Sequence, residues 1–340
     1  MSKRQFLLFL AGLIVISAAV TTLDVSLAAA VETELLSQRV EGDLPLADPA
    51  SAVWEDAIPV DVPLSGQAVL APMNPDPSVT SMNVRSVNNG EWIAFLLEWN
   101  DPSKDIGLGI LDFKDSAAIQ FPSQEGEPFY CMGMSNGTVE ILNWRSDFQQ
   151  DIEAGLPNAK DIYPNMWTNI YPGGDSPQTF LTGQGAGNPL SLADKTSPVE
   201  DLVAGGAGTL TSQLHNDAVG WAEWSDGTWK AVIGRPMITV DAEDAQFRGG
   251  LETSIAVAAW DGGKGEINGK KSVSTWLKLK VGGLPGGSTP TTDPSATATD
   301  DDGLPEFPMA VFILTVFGLV ILGAAGSGAA WAMGRRRQNG

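Results

Sequence analysis

The sequence predicts an all-β fold, an antiparallel β-sandwich with long irregular insertions, followed by one C-terminal transmembrane helix. Two observations predict the sandwich. Short segments alternate apolar and polar residues with period two, each bounded by Gly, Pro, Asn or Asp, as half-buried strands do. No long amphipathic helical pattern interrupts them. A third observation predicts the helix: Phe307 to Gly334 carries no charged residue, and about 20 apolar helical residues cross a hydrocarbon core.

The strand segments are Glu91–Trp99 (EWIAFLLEW), Ala117–Phe121, Thr138–Trp144, Thr228–Ile233, Ser254–Trp260 and Ser272–Val281. Asn89-Gly90 and Asp226-Gly227 read as hairpin turns, because Asn-Gly and Asp-Gly accept the positive φ angles of tight two-residue loops. From Gln149 to His215 the chain is rich in Gly, Pro, Asn and aromatic residues, including Ile162–Trp167 (IYPNMW). That stretch is too long for an ordinary loop, and long ordered loops on a sandwich usually carry function or an interface.

The two ends set the domain organisation. A basic start (MSKRQ), an apolar run from Phe6 to Leu23 and Ala28, Ala29 and Ala30 mark residues 1–30 as a signal peptide. The start resembles a twin-arginine signal with Lys3 in the first arginine's place, whereas the very apolar run suits the general secretory route. Residues 31–283 form the exported domain, 284–306 an acidic linker rich in Pro, Ser and Thr, 307–334 the membrane helix and 335–340 a basic tail. Arg335, Arg336 and Arg337 belong in the cytoplasm by the positive-inside rule. The expected location is therefore the cell membrane, single-pass, with the large domain outside.

The formal net charge is -21, which argues against nucleic acid and anionic lipid headgroups as partners. It suits a halophile, because at multimolar salt the Debye length falls to about 3 Å and acidic self-repulsion is screened. One cysteine, Cys131, and one histidine, His215, exclude a disulfide framework, a Cys-ligated iron–sulfur cluster, covalent C-x-x-C-H haem attachment and an ordinary zinc site. No nucleophile elbow accompanies His215, which reads as a satisfied structural histidine.

The remaining ligand types are methionine thioether and lysine amine. PFYCMGMSNG sets Met132 and Met134 in a glycine-containing turn just before a strand, although most methionines only fill core gaps. In NGKKSVSTWLKLKV, Lys271 is in phase with Val273, Leu277, Leu279 and Val281, and Lys270 with Ser272, Ser274, Lys278 and Lys280. If the first face is the buried one, Lys271 points inward and burial makes its neutral amine available. At a strand's start, however, a lysine can also snorkel to water. Asn136-Gly137-Thr138 matches a glycosylation acceptor by chance.

The ordered motifs AAIQFP, PFYCMG, ILNWR, DIYPNMW, NPLSLADKTSPVEDLVAGGAGTLT, DGTWKAVIGRPM and AVAAWDGGKGEINGKKSVSTW resemble the haem b subunit of type II dimethyl-sulfoxide-reductase-family molybdoenzymes, such as the gamma subunit of ethylbenzene dehydrogenase. The resemblance spans Val53 to Val281 and rests on the order of the motifs. It implies a β-sandwich holding one non-covalent haem b between an axial methionine and an axial lysine. Those positions fall on Met132 and Lys271, with Met134 and Lys270 as alternates one alignment slip away. Arg235, in GRPM, is a weaker candidate for a propionate contact.

A non-catalytic electron-transfer subunit is then expected. It would relay electrons between the iron–sulfur subunit of a molybdopterin oxidoreductase of the nitrate, oxyanion or sulfoxide reductase type and a quinol-linked cytochrome or Rieske protein. The membrane anchor departs from the mostly soluble family members and points to a haloarchaeal form. A reading of another class is a membrane-anchored carbohydrate- or ligand-binding sandwich without haem, in which exposed Trp residues stack on sugars.

Overall fold

In the computed structural model the described residues are 34–157, 159–165, 183 and 188–283. The stretches expected to be a signal peptide, a linker and a membrane helix lie outside them, and among the described residues no helix is long and apolar enough to cross a membrane. The strands are β1 (Glu34–Arg39), β2 (Val60–Pro63), β3 (Ser65–Gly66), β4 (Ser81–Asn88), β5 (Trp92–Asn100), β6 (Ser116–Pro122), β7 (Val139–Arg145), β8 (Val199–Ala204), β9 (Thr211–Ser212), β10 (Val219–Ser225), β11 (Thr228–Pro236), β12 (Glu252–Trp260), β13 (Ser272–Val273) and β14 (Leu277–Val281). A nine-residue helix, α1 (Ser146–Ala154), follows β7 directly.

The hydrogen-bonded order is β10-β11-β5-β4-β1-β14-β12-β6-β7-β8-β9, with β2, β3 and β13 off this path. Strand β12 makes the order into a sandwich: residues 252–255 pair with β14 in one half and residues 256–260 with β6 in the other. The halves then meet face to face, with Phe95 of β5 5.5 Å from Phe121 of β6 and Trp144 of β7 4.8 Å from Trp229 of β11. Offset aromatic pairs of this kind add to the burial of their area. Both expected hairpins form: Gly90 has φ 85°, and Asp226 and Gly227 have φ 51° and 77°, the two positive values of a type I′ turn.

Three expectations need correction. The sheet is mixed, because β1 lies parallel to both neighbours, β14 and β4. The supposedly irregular stretch contains α1, β8 and β9; β8 escaped notice because Glu200 and Asp201 stand in its middle and are nonetheless buried. The expected single strand Ser272–Val281 is two strands. β13 pairs with β12 in one half and β14 with β1 and β12 in the other, with Ser274 to Trp276 crossing between.

Arg235 on β11 reaches across the inter-sheet core to a bidentate pair with Glu140 on β7, and both are fully buried. Its other nitrogen donates to Asp244 Oδ2 at 3.2 Å, and Gln213 Nε2 bridges Asp244 to Asp201 at 2.9 Å each. One guanidinium therefore serves three clustered carboxylates. Burial, then the Asp244 carboxylate, pushes Asp201 up to about 7, against about 3.9 in an unfolded chain. The folded state thus keeps a proton that the unfolded chain has released, and this stability is lost as pH rises through about 7. Denaturant midpoints measured from pH 5 to pH 8 are expected to fall, and Asp201→Asn is expected to flatten that slope.

Candidate functional site

The outer face of the second half-sheet carries a cavity into which Met132 and Lys271 both reach. Alternation sends Ile119 and Phe121 of β6 into the inter-sheet core, and Ala118 and Gln120 to the opposite face. Small side chains there, Ala118 on β6 with Ala256 and Ala258 on β12, leave room that larger ones would fill. The result is a cavity of about 680 Å³, within the range of cofactor sites. Ile141, Leu202, Trp260 and Val273 complete the sheet wall. Loops supply the rest, from Gln67 to Pro72, Gly107 to Lys114, Tyr130 to Met132 and Glu266 to Gly269.

Met132 and Lys271 meet in this cavity, with Lys271 Nζ 3.8 Å from Met132 Sδ. Lys271 is 9% exposed and forms no ion pair among the described residues. Its ammonium lies 5.3 Å from the Trp260 ring centroid. Burial drives its pKa down, because an ammonium without counter-charge is disfavoured in a dry site. Lys271 points inward as the strand phase expects, but onto another face than its supposed partners: Leu277, Leu279 and Val281 face the inter-sheet core, whereas Lys271 and Val273 face the cavity. Lys270 is exposed, and Met134 is 42% exposed.

The turn that carries Met132 is strained. Met132 has φ 75°, a left-handed conformation that costs a residue with a side chain about 1–3 kcal/mol. Its carbonyl accepts from Gly206 N at 2.8 Å, and its N–H donates to Gln120 Oε1 at 3.4 Å. Gln120 Nε2 also donates to the carbonyl of Tyr130 at 2.6 Å, so one side chain on β6 holds both ends of the turn. Cys131, a half-buried free thiol, lines the cavity beside Met132.

The cavity wall also carries two cations, each paired to a carboxylate. Lys114 and Arg145 line it, with Arg145 paired to Glu200 at 3.0 Å and both cations paired to Asp147, at 3.3 and 2.7 Å. Burial and the neighbouring Arg145 lower the Lys114 pKa. Arg235, expected at a propionate, is not in the cavity wall; β11 alternation turns it into the inter-sheet core with Trp229 and Ile233. His215 is exposed rather than enclosed, and is not a lining residue. Sequence reasoning missed Gln120, Lys114, Arg145 and Trp260, though the alternation of AAIQFP already sets Gln120 opposite Phe121.

Residues 51–272, well over half of the chain, match the family model described as ethylbenzene dehydrogenase. The chain belongs to the ethylbenzene dehydrogenase family. Within curated proteins it is similar to a Haloferax mediterranei protein named for a respiratory nitrate reductase heme subunit, 25% identical over 320 residues and covering 91% of each chain. Among solved structures it is similar to a family 9 carbohydrate binding module from Caldicellulosiruptor kristjanssonii in complex with glucose. That match has a TM-score of 0.35 and 5% identity, over 76% of this chain and 100% of the other. The same module in complex with cellotriose matches with a TM-score of 0.34 and 6% identity, over 81% of this chain and 100% of the other.

Proposed function

We propose that this family member is a non-catalytic electron-transfer subunit that holds one haem b non-covalently, with Met132 and Lys271 as axial ligands. The observation that carries the reading is the thioether and the buried amine facing each other at 3.8 Å in an apolar-walled cavity. Met132 and Lys271 would hold the iron, and the small and apolar side chains of the cavity wall, Ala118, Ala256, Ala258, Ile141 and Leu202, would lie against the macrocycle.

When bound, the haem supplies a one-electron iron couple. Lys271 offers a neutral amine because burial lowers its pKa, and the soft Met132 thioether favours the reduced metal and a higher potential. Two protein ligands leave no position for substrate, which suits relay rather than catalysis. Lys114 and Arg145 are the cations at hand for the propionate carboxylates. Gln120 positions Met132, and Gln120→Ala is expected to convert part of a six-coordinate low-spin spectrum to high spin by loosening the turn.

The name of the Haloferax mediterranei relative supports a place in a nitrate-reductase-type complex; on this reading the partners are its iron–sulfur and molybdopterin subunits on one side and a quinol-linked cytochrome or Rieske protein on the other. The apolar segments at the two ends support export and single-pass anchoring, with the domain outside the cell membrane. A pyridine haemochrome spectrum of protein purified from its native host tests the reading. One b-type haem per chain is expected. No haem, even after reconstitution, would favour the haem-free binding module instead.

A further inference from the structure

A second cluster of buried acids lies where the chain leaves β5, enters β6 and leaves β12. Asp101, Asp105, Asp115 and Asp261 each bring a carboxylate oxygen within 4.8 Å of the others. Asp101 and Asp115 are fully buried and Asp261 is 2% exposed. Two oxygens on one calcium ion, each bonded at 2.3–2.6 Å, are at most about 4.6–5.2 Å apart, so this spacing is that of a single coordination shell.

The contrast with the Glu140, Asp201 and Asp244 cluster is informative. That cluster encloses Arg235, whereas none of these four carboxylates makes an ion pair among the described residues. Lys264 acts on Asp261 only as a charge at longer range, and Lys104 stands 5.9 Å over the Trp229 ring. Backbone groups hold the carboxylates in place: Gly262 N and Asp105 N donate to Asp115 at 2.8 and 2.7 Å, Ser103 N to Asp101 at 3.1 Å and Lys264 N to Asp261 at 3.0 Å.

A second observation concerns one of these oxygens. Asp101 Oδ2 is buried without any hydrogen-bond partner, although a buried charged oxygen normally has one. Gly263 also approaches so closely that a Cβ on it would lie 2.9 Å from Asp105 Oδ2 and 3.2 Å from Asp261 Oδ1.

We propose that Asp101, Asp105, Asp115 and Asp261 bind one divalent cation of the calcium class, a hard ion suited to an all-oxygen shell. The cation ties the 101–115 loop to the end of β12. The same loop contributes Gly107, Phe113 and Lys114 to the large cavity, so the ion braces one of its walls.

The test uses the full chain stripped with a chelator and returned to high-salt buffer, which suppresses diffuse binding to the acidic surface. The probes are Ca²⁺ and Tb³⁺. Trp229 Nε1 donates to Asp115 Oδ2 at 3.0 Å, so excitation of tryptophan should sensitise emission from Tb³⁺ bound there. One Tb³⁺ per chain is expected, displaced by Ca²⁺, together with a Ca²⁺-dependent rise in Tm. Asp101→Asn should weaken binding by about tenfold or more, while the chelated variant is at least as stable as the chelated parent, because a buried, poorly satisfied acid is gone. Equal Ca²⁺-dependent shifts in parent and variant, or no stoichiometric binding by the parent, would overturn the proposal.

Discussion

Lys271→Ala is expected to convert a six-coordinate, low-spin haem spectrum to a five-coordinate, high-spin one that binds added imidazole or carbon monoxide. The argument is geometric. Lys271 Nζ stands opposite Met132 Sδ, and the alternatives are displaced from the cavity, Lys270 because it is exposed and Met134 because it lies beyond the turn. The other amine in the cavity wall, Lys114, is tied to Asp147 at 3.3 Å. Absorption spectra of the ferric and ferrous forms decide the matter. An unchanged low-spin spectrum would move the ligand elsewhere.

The same residue carries an opposite expectation for the haem-free chain. There the Lys271 amine is buried, with one weak sulfur contact and an aromatic face as its company. Leaving a buried polar group poorly satisfied costs about 1–3 kcal/mol. Lys271→Met should therefore raise the stability of the apoprotein by about that amount while lowering haem retention, as urea midpoints and haem content would show. A purely structural lysine would lose stability on the same replacement.

Arg235→Met is expected to destabilise the fold by about 3–5 kcal/mol, the usual consequence of removing one partner of a buried ion pair. Glu140, Asp201 and Asp244 would remain in the inter-sheet core without a cation. They can answer only by taking up protons, which is easier at low pH, so the loss should be larger at pH 8 than at pH 5. Pairing Arg235→Met with Glu140→Leu should recover much of the loss, because a well-packed apolar pair can replace a buried ion pair. Chemical denaturation at the two pH values measures both effects. Haem spectra of folded Arg235→Met should match the parent, since the guanidinium faces away from the cavity.

The sandwich was legible because short apolar-rich segments bounded by turn residues mark β5, β6, β7, β11 and β12, which are in fact buried on both faces over most of their length. The turns Asn89-Gly90 and Asp226-Gly227 were legible because positive φ has few hosts. Strand β8 was not, because Glu200 and Asp201 look solvated until Arg145 and Gln213 are brought to them from elsewhere in the chain. Nor was the break between β13 and β14, because the alternation of Ser272–Val281 is unchanged in sequence while the strand changes partners in space.

By itself, then, the sequence determined what is local: the strands with one apolar face, the tight turns, the chemical inventory without paired histidines or cysteines, and the ordered motifs that name the family. Only the tertiary structure decided which sheet face each polar side chain occupies. Met132 and Lys271 are 139 residues apart in the chain, and Arg235 is 95 from Glu140. Their separation or meeting depends on β12 leaving one half-sheet and joining the other. Period two says that neighbouring side chains point to opposite faces; it does not say which face becomes the core and which the cavity.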